Sequence, residues 1–442
     1  MKFLNKNMSF AKQNNNFDVK KVRADFPILS RKFGDKSLIY FDNAATTQKP
    51  RVMIDSLVDY YSNYNANIHR GVHRLSVEAT VKFEETRELI AKIYGAKNTE
   101  VIFTKNDTES NNLIALTLGK KLLRQNLHGN IVVSEAEHHS NIVPWQKLFC
   151  EVNEAKIIVS DQIRYLSFDS EGYLNIEEIE RLVDSDTIIF ACTWASNTFG
   201  IIYDIPEIIK KVRQINPNTI IVIDAAQYVP HAKFDFANLD ADFITFSAHK
   251  VCGPTGVGIL IGKKALLSQM PTFLSGGDMI KDVSKKETQF NDLPYKFEAG
   301  TPNIADVIAF GASLRYLEDL GWENIQEQEK LLTKKLYEEL SNLDFIDIYG
   351  PQKNPNVSQE NTGKLIKLPL ISFNINGVHA HDAGTLLDEA GIAVRTGHHC
   401  TQLIMKKLQI PASIRASLYF YNTAQEIEFF VEWLRRVRKV FE

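Results

Sequence analysis

Asp242-Phe243-Ile244-Thr245-Phe246-Ser247-Ala248-His249-Lys250-Val251-Cys252-Gly253-Pro254-Thr255-Gly256 carries the first decision about this chain. The run Asp242–Phe246 is largely apolar, the composition of a strand buried on both faces of a sheet. The chain then turns polar and Gly-rich, which leaves Lys250 at the end of that strand. A lysine in a largely dry pocket loses its proton and becomes a nucleophilic amine that can form a Schiff base with an aldehyde cofactor. The flanking Ser247 hydroxyl and His249 imidazole suit an anionic group. Taken alone, the stretch fits equally well a lysine that merely ends a core strand.

Short β-branched runs recur on either side: 101–103, 131–133, 156–159, 187–192, 219–223 and 257–261. Segments of helical period lie between some of them, at 107–123, 176–182 and 206–215. Such alternation predicts an α/β fold, a mostly parallel sheet with helices on both faces. Ligands of these sheets bind beyond the carboxyl ends of the strands. There the sequence places Thr104–Thr108, Glu137–His139, Ser196-Asn197, Asp224–Gln227 and Ser247–Lys250.

The texture changes after Gly300-Thr301-Pro302. The pattern predicts a long helical stretch over 304–343 broken at Gly321-Trp322. A strand at 371–375 and helices at 380–390 and 425–440 follow. We read these as a smaller C-terminal α+β domain (304–442) beside a large domain (41–303). A tail (1–16) and an N-terminal segment (17–40) that packs with the small domain precede them. The Asn-, Pro- and Ser-rich stretch 350–363 reads as an exposed loop.

Composition narrows the classes of function. The 442 residues are 44% apolar and 24% charged, with a net charge of −3, which argues against a nucleic-acid binder. No apolar run approaches the roughly 20 residues that span a bilayer. The polar, Asn-rich start lacks the apolar core of a secretory signal. Four cysteines without a CxxC pair form no disulfide framework and point to a reducing cytoplasm. Cys150, Cys192 and Cys252 sit in apolar or Gly-rich surroundings and read as inert small hydrophobes. Cys400 lies in a polar loop after His398-His399, where cationic or hydrogen-bonding neighbours favour a thiolate.

Asp224 follows the run 219–223. Opposite a pyridine-aldehyde cofactor, its carboxylate would keep the ring nitrogen protonated and make the ring an electron sink. A cap on the next helix is the simpler role for an Asp after a strand. Lys250 follows twenty-six residues later, and that order shifts the balance.

With it come Tyr40–Thr47, His69-Arg70-Gly71-Val72-His73, Glu137–Trp145, Ser196-Asn197 and Ser247–Lys250. Phe297–Asn303, Arg395–Cys400 and Arg415-Ala416-Ser417 complete the series. In this order the chain resembles the class V, fold-type I pyridoxal-phosphate (PLP) enzymes. More narrowly it resembles the group II (SufS-type) cysteine desulfurases, including their selenocysteine lyase-like members. The likeness runs from about Val22 to the C-terminus.

The resemblance implies a role for each matching residue. Lys250 would form the Schiff base with PLP and move protons. His138 would stack on the ring, Asn197 and Gln227 contact its oxygen, and Asp224 its nitrogen. Thr108, Ser247 and His249 would bind the phosphate, and Thr301 the phosphate held by the other subunit of a homodimer. Arg415 would grip the substrate carboxylate in the bidentate mode natural to arginine. Asn43, His69, Arg70 and Arg395 would lie near the substrate, His69 and Arg70 supplied across the dimer. Cys400 would take the sulfur of L-cysteine as a persulfide, and L-selenocysteine would be a further substrate. The acceptor would be a SufE- or SufU-like protein feeding iron–sulfur cluster assembly.

Rival readings stay open at this level. An aminotransferase or a kynureninase-like hydrolase would use Lys250, Asp224 and Arg415 without needing Cys400. A non-catalytic sulfur-transfer scaffold would need none of them. A zinc site at His398-His399-Cys400 is disfavoured, because adjacent ligands without a second spaced pair make a poor site. The chain departs from the family at Asn106-Asp107, where Gly followed by Thr or Ala is more usual. It departs again at Trp194, where a His is usual. We expect Asn106 or Asp107 to cap the following helix, with Glu109 closing a capping box on Asn106.

Overall fold

A computed structural model describes residues 17–153, 162–356 and 365–442. The expected tail, the run 156–159 and part of the loop 350–363 lie outside the described residues.

Seven strands form the main sheet: β1 Val101–Thr104, β2 Asn130–Ser134, β3 Ile163–Leu166, β4 Thr187–Thr193, β5 Ile220–Asp224, β6 Phe243–Ser247 and β7 Gly258–Gly262. Their order is β1-β7-β6-β5-β4-β2-β3. Strands β2 to β6 pair in parallel, and β7 runs antiparallel to both β1 and β6. The sheet is therefore mixed, though mostly parallel. Nearly every residue of β4 to β7 is buried, which is why these strands read as continuous apolar runs.

Register brings polar residues to one edge. Gly258 pairs with Thr104 on one side and Ser247 on the other. Thr193 pairs with Asp224, and Asp224 with Thr245. Gly258 is required by contact: a Cβ there would stand 2.4 Å from the Asn106 carbonyl carbon and from Thr104 Oγ1.

Helix α1 (Arg74–Ile93) precedes the sheet, and α2 (Asp107–Ile114) leaves the end of β1. The sequence suggested one helix over 107–123. The structure has α2, a π-helical turn at Ala115–Gly119 and a further helix at Lys120–Gln125. Asn106 is the cap, its Oδ1 accepting the Glu109 N–H at 2.9 Å. The expected capping box is shifted by one residue, since Glu109 Oε2 accepts the Lys105 N–H at 2.6 Å. Helix α3 (Ile205–Ile215) is capped by Asp204 and buries Ile205, Ile208, Ile209 and Val212 at helical spacing.

The chain continues through α4 (Ile304–Leu320) and α5 (Trp322–Ser341), broken at Gly321, whose φ of +82° suits glycine. A second, antiparallel sheet follows: β8 Ile346–Tyr349, β9 Leu370–Ile375, β10 Arg395–Gly397 and β11 Ser413–Ser417, in the order β8-β9-β11-β10. Helices α6 (Ala380–Glu389) and α7 (Ala424–Val440) complete this part. Thr423 and Glu426 form a capping box at the start of α7. One core joins Leu332, Leu336 and Leu340 of α5 to Phe373, Ile414 and Phe430.

The N-terminal residues lie against this second part. Ile39-Tyr40 pair in parallel with Ile392-Ala393, and Arg23 bonds Glu426 at 2.6 Å. Among the described residues no helix is long and apolar enough to cross a membrane.

Candidate active site

The polar edge of the main sheet opens into a cavity of about 260 Å³. Thr108, His138, Asn197, Asp224, Gln227, Ser247, His249, Lys250 and Arg395 all line it. Residues more than 280 positions apart in sequence thus meet because β1, β4, β5 and β6 all end at this edge, with β7 between β1 and β6, and β10 approaches from the second sheet.

Burial lowers the Lys250 ammonium pKa against the attraction of Asp224 and Asp107. Asp224 is pushed well up by burial and by repulsion from Asp107 and Glu137. Its Oδ1 accepts the Ala226 N–H at 2.9 Å. Three imidazoles of the site are held neutral. Burial, with the nearby Lys250 charge, lowers His138 and His249 to about 3. Burial, with Arg415, lowers His399 to about 2. Glu137 is raised to about 7 by burial, although Ser134, Asn141 and the Thr193 N–H all bond it.

His138 Nδ1 accepts the Ser140 N–H at 3.1 Å and lies 2.8 Å from Ser140 Oγ. Asn197 donates from Nδ2 to the His399 carbonyl at 2.7 Å, and Gln227 from Nε2 to the Ala44 carbonyl at 2.7 Å. Trp194 stacks on Tyr228 with ring centroids 4.0 Å apart, so the usual His is replaced by a packed aromatic pair.

Arg415 on β11 is buried. Its Nη1 donates to the Asn197 carbonyl at 2.9 Å and its Nη2 to Asp42 Oδ1 at 3.1 Å. Its Nε is buried without a partner. Burial lowers this guanidinium to about 10, against the pull of Asp42. Cys400 follows His399, both with left-handed φ, 59° and 53°. Its thiol is partly exposed, and Arg395 Nη2 lies 3.8 Å from its sulfur. The Cys400 carbonyl accepts the His139 N–H at 2.9 Å, which fixes this loop to the one carrying His138. Cys192 and Cys252 are buried, and burial raises both thiols.

Other expected site residues lie apart. Thr301 lines a neighbouring cavity of about 710 Å³, which also reaches Asn106 and His249. His69 bonds Glu84 at 2.9 Å and Arg70 bonds Asp278 at 2.9 Å. Neither lines the smaller cavity. Asn43 sits beside that cavity, donating to the Ser417 carbonyl at 2.8 Å and accepting from Tyr421.

Sequence reasoning gave no catalytic or cofactor-binding role to four residues placed here, Asp42, Asp107, Ser140 and His399, Asp107 being expected only as a possible helix cap and His399 only as part of a disfavoured zinc site. Each stands within or beside a motif, so position alone was the available signal. Asp107 is the first residue of α2, yet its carboxyl turns inward. Oδ2 accepts from Asn111 Nδ2 at 3.2 Å and Ser140 Oγ at 3.3 Å.

The donor set fits PLP. Hydroxyl and imidazole groups gather at Thr108, Ser247 and His249, near the N-terminus of α2, where an anion is favoured. Acid, amine, amide and imidazole groups occupy the rest of the cavity. Asp107 also lines this cavity, with its carboxyl turned toward Asn111 and Ser140.

A seven-stranded, mostly parallel sheet with a C-terminal antiparallel α+β part is the fold-type I architecture of PLP enzymes. The aminotransferase class-V family model matches residues 39–430. A cysteine desulfurase of Haloferax volcanii is 40% identical over 438 residues, covering 96% of this chain and 98% of the relative. The apo structure of a Thermococcus onnurineus cysteine desulfurase superimposes with a TM-score of 0.83 at 36% identity, covering 96% and 98% of the two chains. The Escherichia coli cysteine desulfurase CsdA, in an S-sulfonic acid form, gives 0.83 at 29% identity, covering 97% and 100%. The chain belongs to the class-V aminotransferase family, within its cysteine desulfurases, which are PLP-dependent enzymes.

Proposed function

We propose that this chain converts L-cysteine to L-alanine and keeps the sulfur as a persulfide on Cys400. One observation carries the proposal. A partly exposed thiol stands 3.8 Å from Arg395, and Arg395 lines the same cavity as Lys250 and Asp224. An aminotransferase or a kynureninase-like hydrolase has no use for that thiol.

Bound PLP supplies an electron sink for the charge that develops at the substrate Cα. Lys250, whose pKa burial lowers, would hold the cofactor's aldehyde and move the Cα proton. Asp224 would keep the ring nitrogen protonated. His138, neutral at physiological pH, would pack on the ring. Asn197 and Gln227 would bond the ring oxygen, and Thr108, Ser247 and His249 would hold the phosphate. Arg415 takes the substrate carboxylate, with Asn43 and Arg395 close by.

Cys400 attacks the substrate sulfur. An S–S bond forms as the Cβ–S bond breaks, and its electron pair passes to the carbon side, which is protonated and leaves as alanine. The enzyme thiol thus becomes a persulfide with no outside oxidant. The active form is a homodimer in which Thr301, His69 and Arg70 serve the partner's site. The large part is 41–303 and the small part 304–442, with 17–40 packed on the latter. The sulfur passes to a SufE- or SufU-like acceptor for iron–sulfur assembly, and L-selenocysteine is a second substrate.

Alanine release from L-cysteine tests the core of this. Native protein releases alanine, whereas Lys250→Ala and Cys400→Ser release almost none. Full turnover by Cys400→Ser would refute the persulfide role.

A further inference from the structure

Asp107 stands where the family more often carries Thr or Ala, and the proposed reaction does not use it. Its side chain is only 6% exposed although it begins a helix. Its two oxygens are unequal. Oδ2 receives Asn111 Nδ2 and Ser140 Oγ, whereas Oδ1 is buried with no partner. The backbone N–H of Asp107 is held by Ser247 Oγ at 2.8 Å, which fixes the residue against the end of β6. Asp224, a second buried carboxyl, lines the same cavity, and Asn111 bonds both Asp107 and Thr245, the strand partner of Asp224.

Two ionised carboxylates in contact inside a dry pocket repel strongly, and such pairs keep a proton between them. We propose that Asp107 and Asp224 share one proton between their carboxyls, which makes Asp107 a positioning residue for both Asp224 and His138. The shared proton leaves the pair singly charged and fixes the Asp224 carboxyl, which the Ala226 N–H also holds. The same Asp107 carboxyl orients Ser140, whose N–H fixes Nδ1 of His138 as an acceptor and so puts the ring proton on Nε2.

The charged and titratable groups around the pair come from four elements. Lys250 and His249 follow β6, Glu137 and His138 follow β2, and Arg395 and Arg415 lie on β10 and β11. Burial raises both aspartates. Lys250 opposes this for each, and Glu137 adds repulsion on Asp224. A Thr or Ala at position 107 would leave Asp224 without a second carboxyl to share a proton. The consequence for the cofactor ring rests on the placement proposed above, but the shared proton does not.

Infrared spectroscopy of the full chain in heavy water at neutral pH, with and without PLP, tests the proposal. Native protein minus Asp107→Asn should show one protonated-carboxyl band lost, while the Glu137 band cancels. Asp107→Thr should lose the same band, which covers the case in which the Asn variant does not fold. A raised carboxyl stabilises the folded state at low pH, and that stability is lost as pH rises through its folded pKa. The Tm of the native protein without PLP should therefore fall relative to Asp107→Asn from acidic to alkaline pH. An unchanged carboxyl region, or a Tm difference independent of pH, would overturn the proposal. Failure of the protein to take up PLP would count against the cofactor reading and leave both readouts intact.

Discussion

Arg395 Nη2 stands 3.8 Å from the sulfur of Cys400, two residues of one short loop that begins on β10. The left-handed turn at His399-Cys400 brings the thiol back toward its own strand. A guanidinium in that position stabilises negative charge developing on sulfur. Arg395→Ala should slow alkylation of Cys400 roughly tenfold, because a hydrogen bond to a charged group contributes about 1.5 kcal/mol. Rates of iodoacetamide labelling, followed by peptide mass, measure this. An unchanged rate would mean the guanidinium does not act on the thiol.

Arg415 is held by Asp42 and the Asn197 carbonyl, so two of its nitrogens are fixed before substrate arrives. Lysine keeps the charge but cannot reproduce a planar two-point grip. Arg415→Lys should raise KM for L-cysteine roughly tenfold or more, with a smaller change in kcat. Arg415→Ala should instead destabilise the fold by about 3 kcal/mol, since it leaves Asp42 half-buried and unpaired. Steady-state kinetics and urea unfolding separate the two.

Gly258 accepts no side chain without displacing Asn106. Gly258→Ala should cost about 2 kcal/mol of stability through overpacking. It should also weaken PLP binding, because the displaced backbone leads into Thr108. A fluorescence titration with PLP that matched native protein would contradict the placement of the phosphate.

Acid should destabilise the protein in a defined window. His138, His249 and His399 have folded pKa values of about 3, 3 and 2, below their ordinary 6.5. A depressed folded pKa means the unfolded chain takes up protons first as pH falls below 6.5. Stability is then lost from 6.5 down toward those values. Glu137, raised to about 7 from 4.5, works in the opposite sense by binding a proton in the folded state. Asp107, Asp224 and Glu329, also raised by burial, act in the same sense as Glu137, so the imidazole contribution is read by difference. Without PLP, the Tm of native protein should fall relative to that of His399→Asn as pH drops from 6.5 to 4.5, at about one proton or about 1.4 kcal/mol per pH unit, and parallel profiles would refute the burial of that imidazole.

Much of this architecture was legible because it is written locally. The runs at 101–103, 131–133, 187–192, 219–223, 242–246 and 257–261 each fall within one or two residues of a strand. Gly321 divides two helices where the pattern broke. Strand direction was not legible, because nothing within 257–261 distinguishes antiparallel β7 from its parallel neighbours. The π turn at Ala115–Gly119 interrupts a helical pattern without changing its period. The partners of long side chains were equally hidden. Asp42 and Arg415 lie 373 residues apart, and the inward turn of Asp107 depends on Asn111, Ser140 and Ser247 converging from three elements. His69 and Arg70 were expected near the substrate of the partner subunit, and within this chain they bond Glu84 and Asp278.

Intact mass of the purified protein after brief exposure to L-cysteine without reductant tests the central claim most directly. One added sulfur located to Cys400, with alanine in the supernatant and a borohydride-reducible chromophore on Lys250, is the predicted result. The chromophore with no added sulfur on Cys400 would contradict it and make this a PLP enzyme of another reaction.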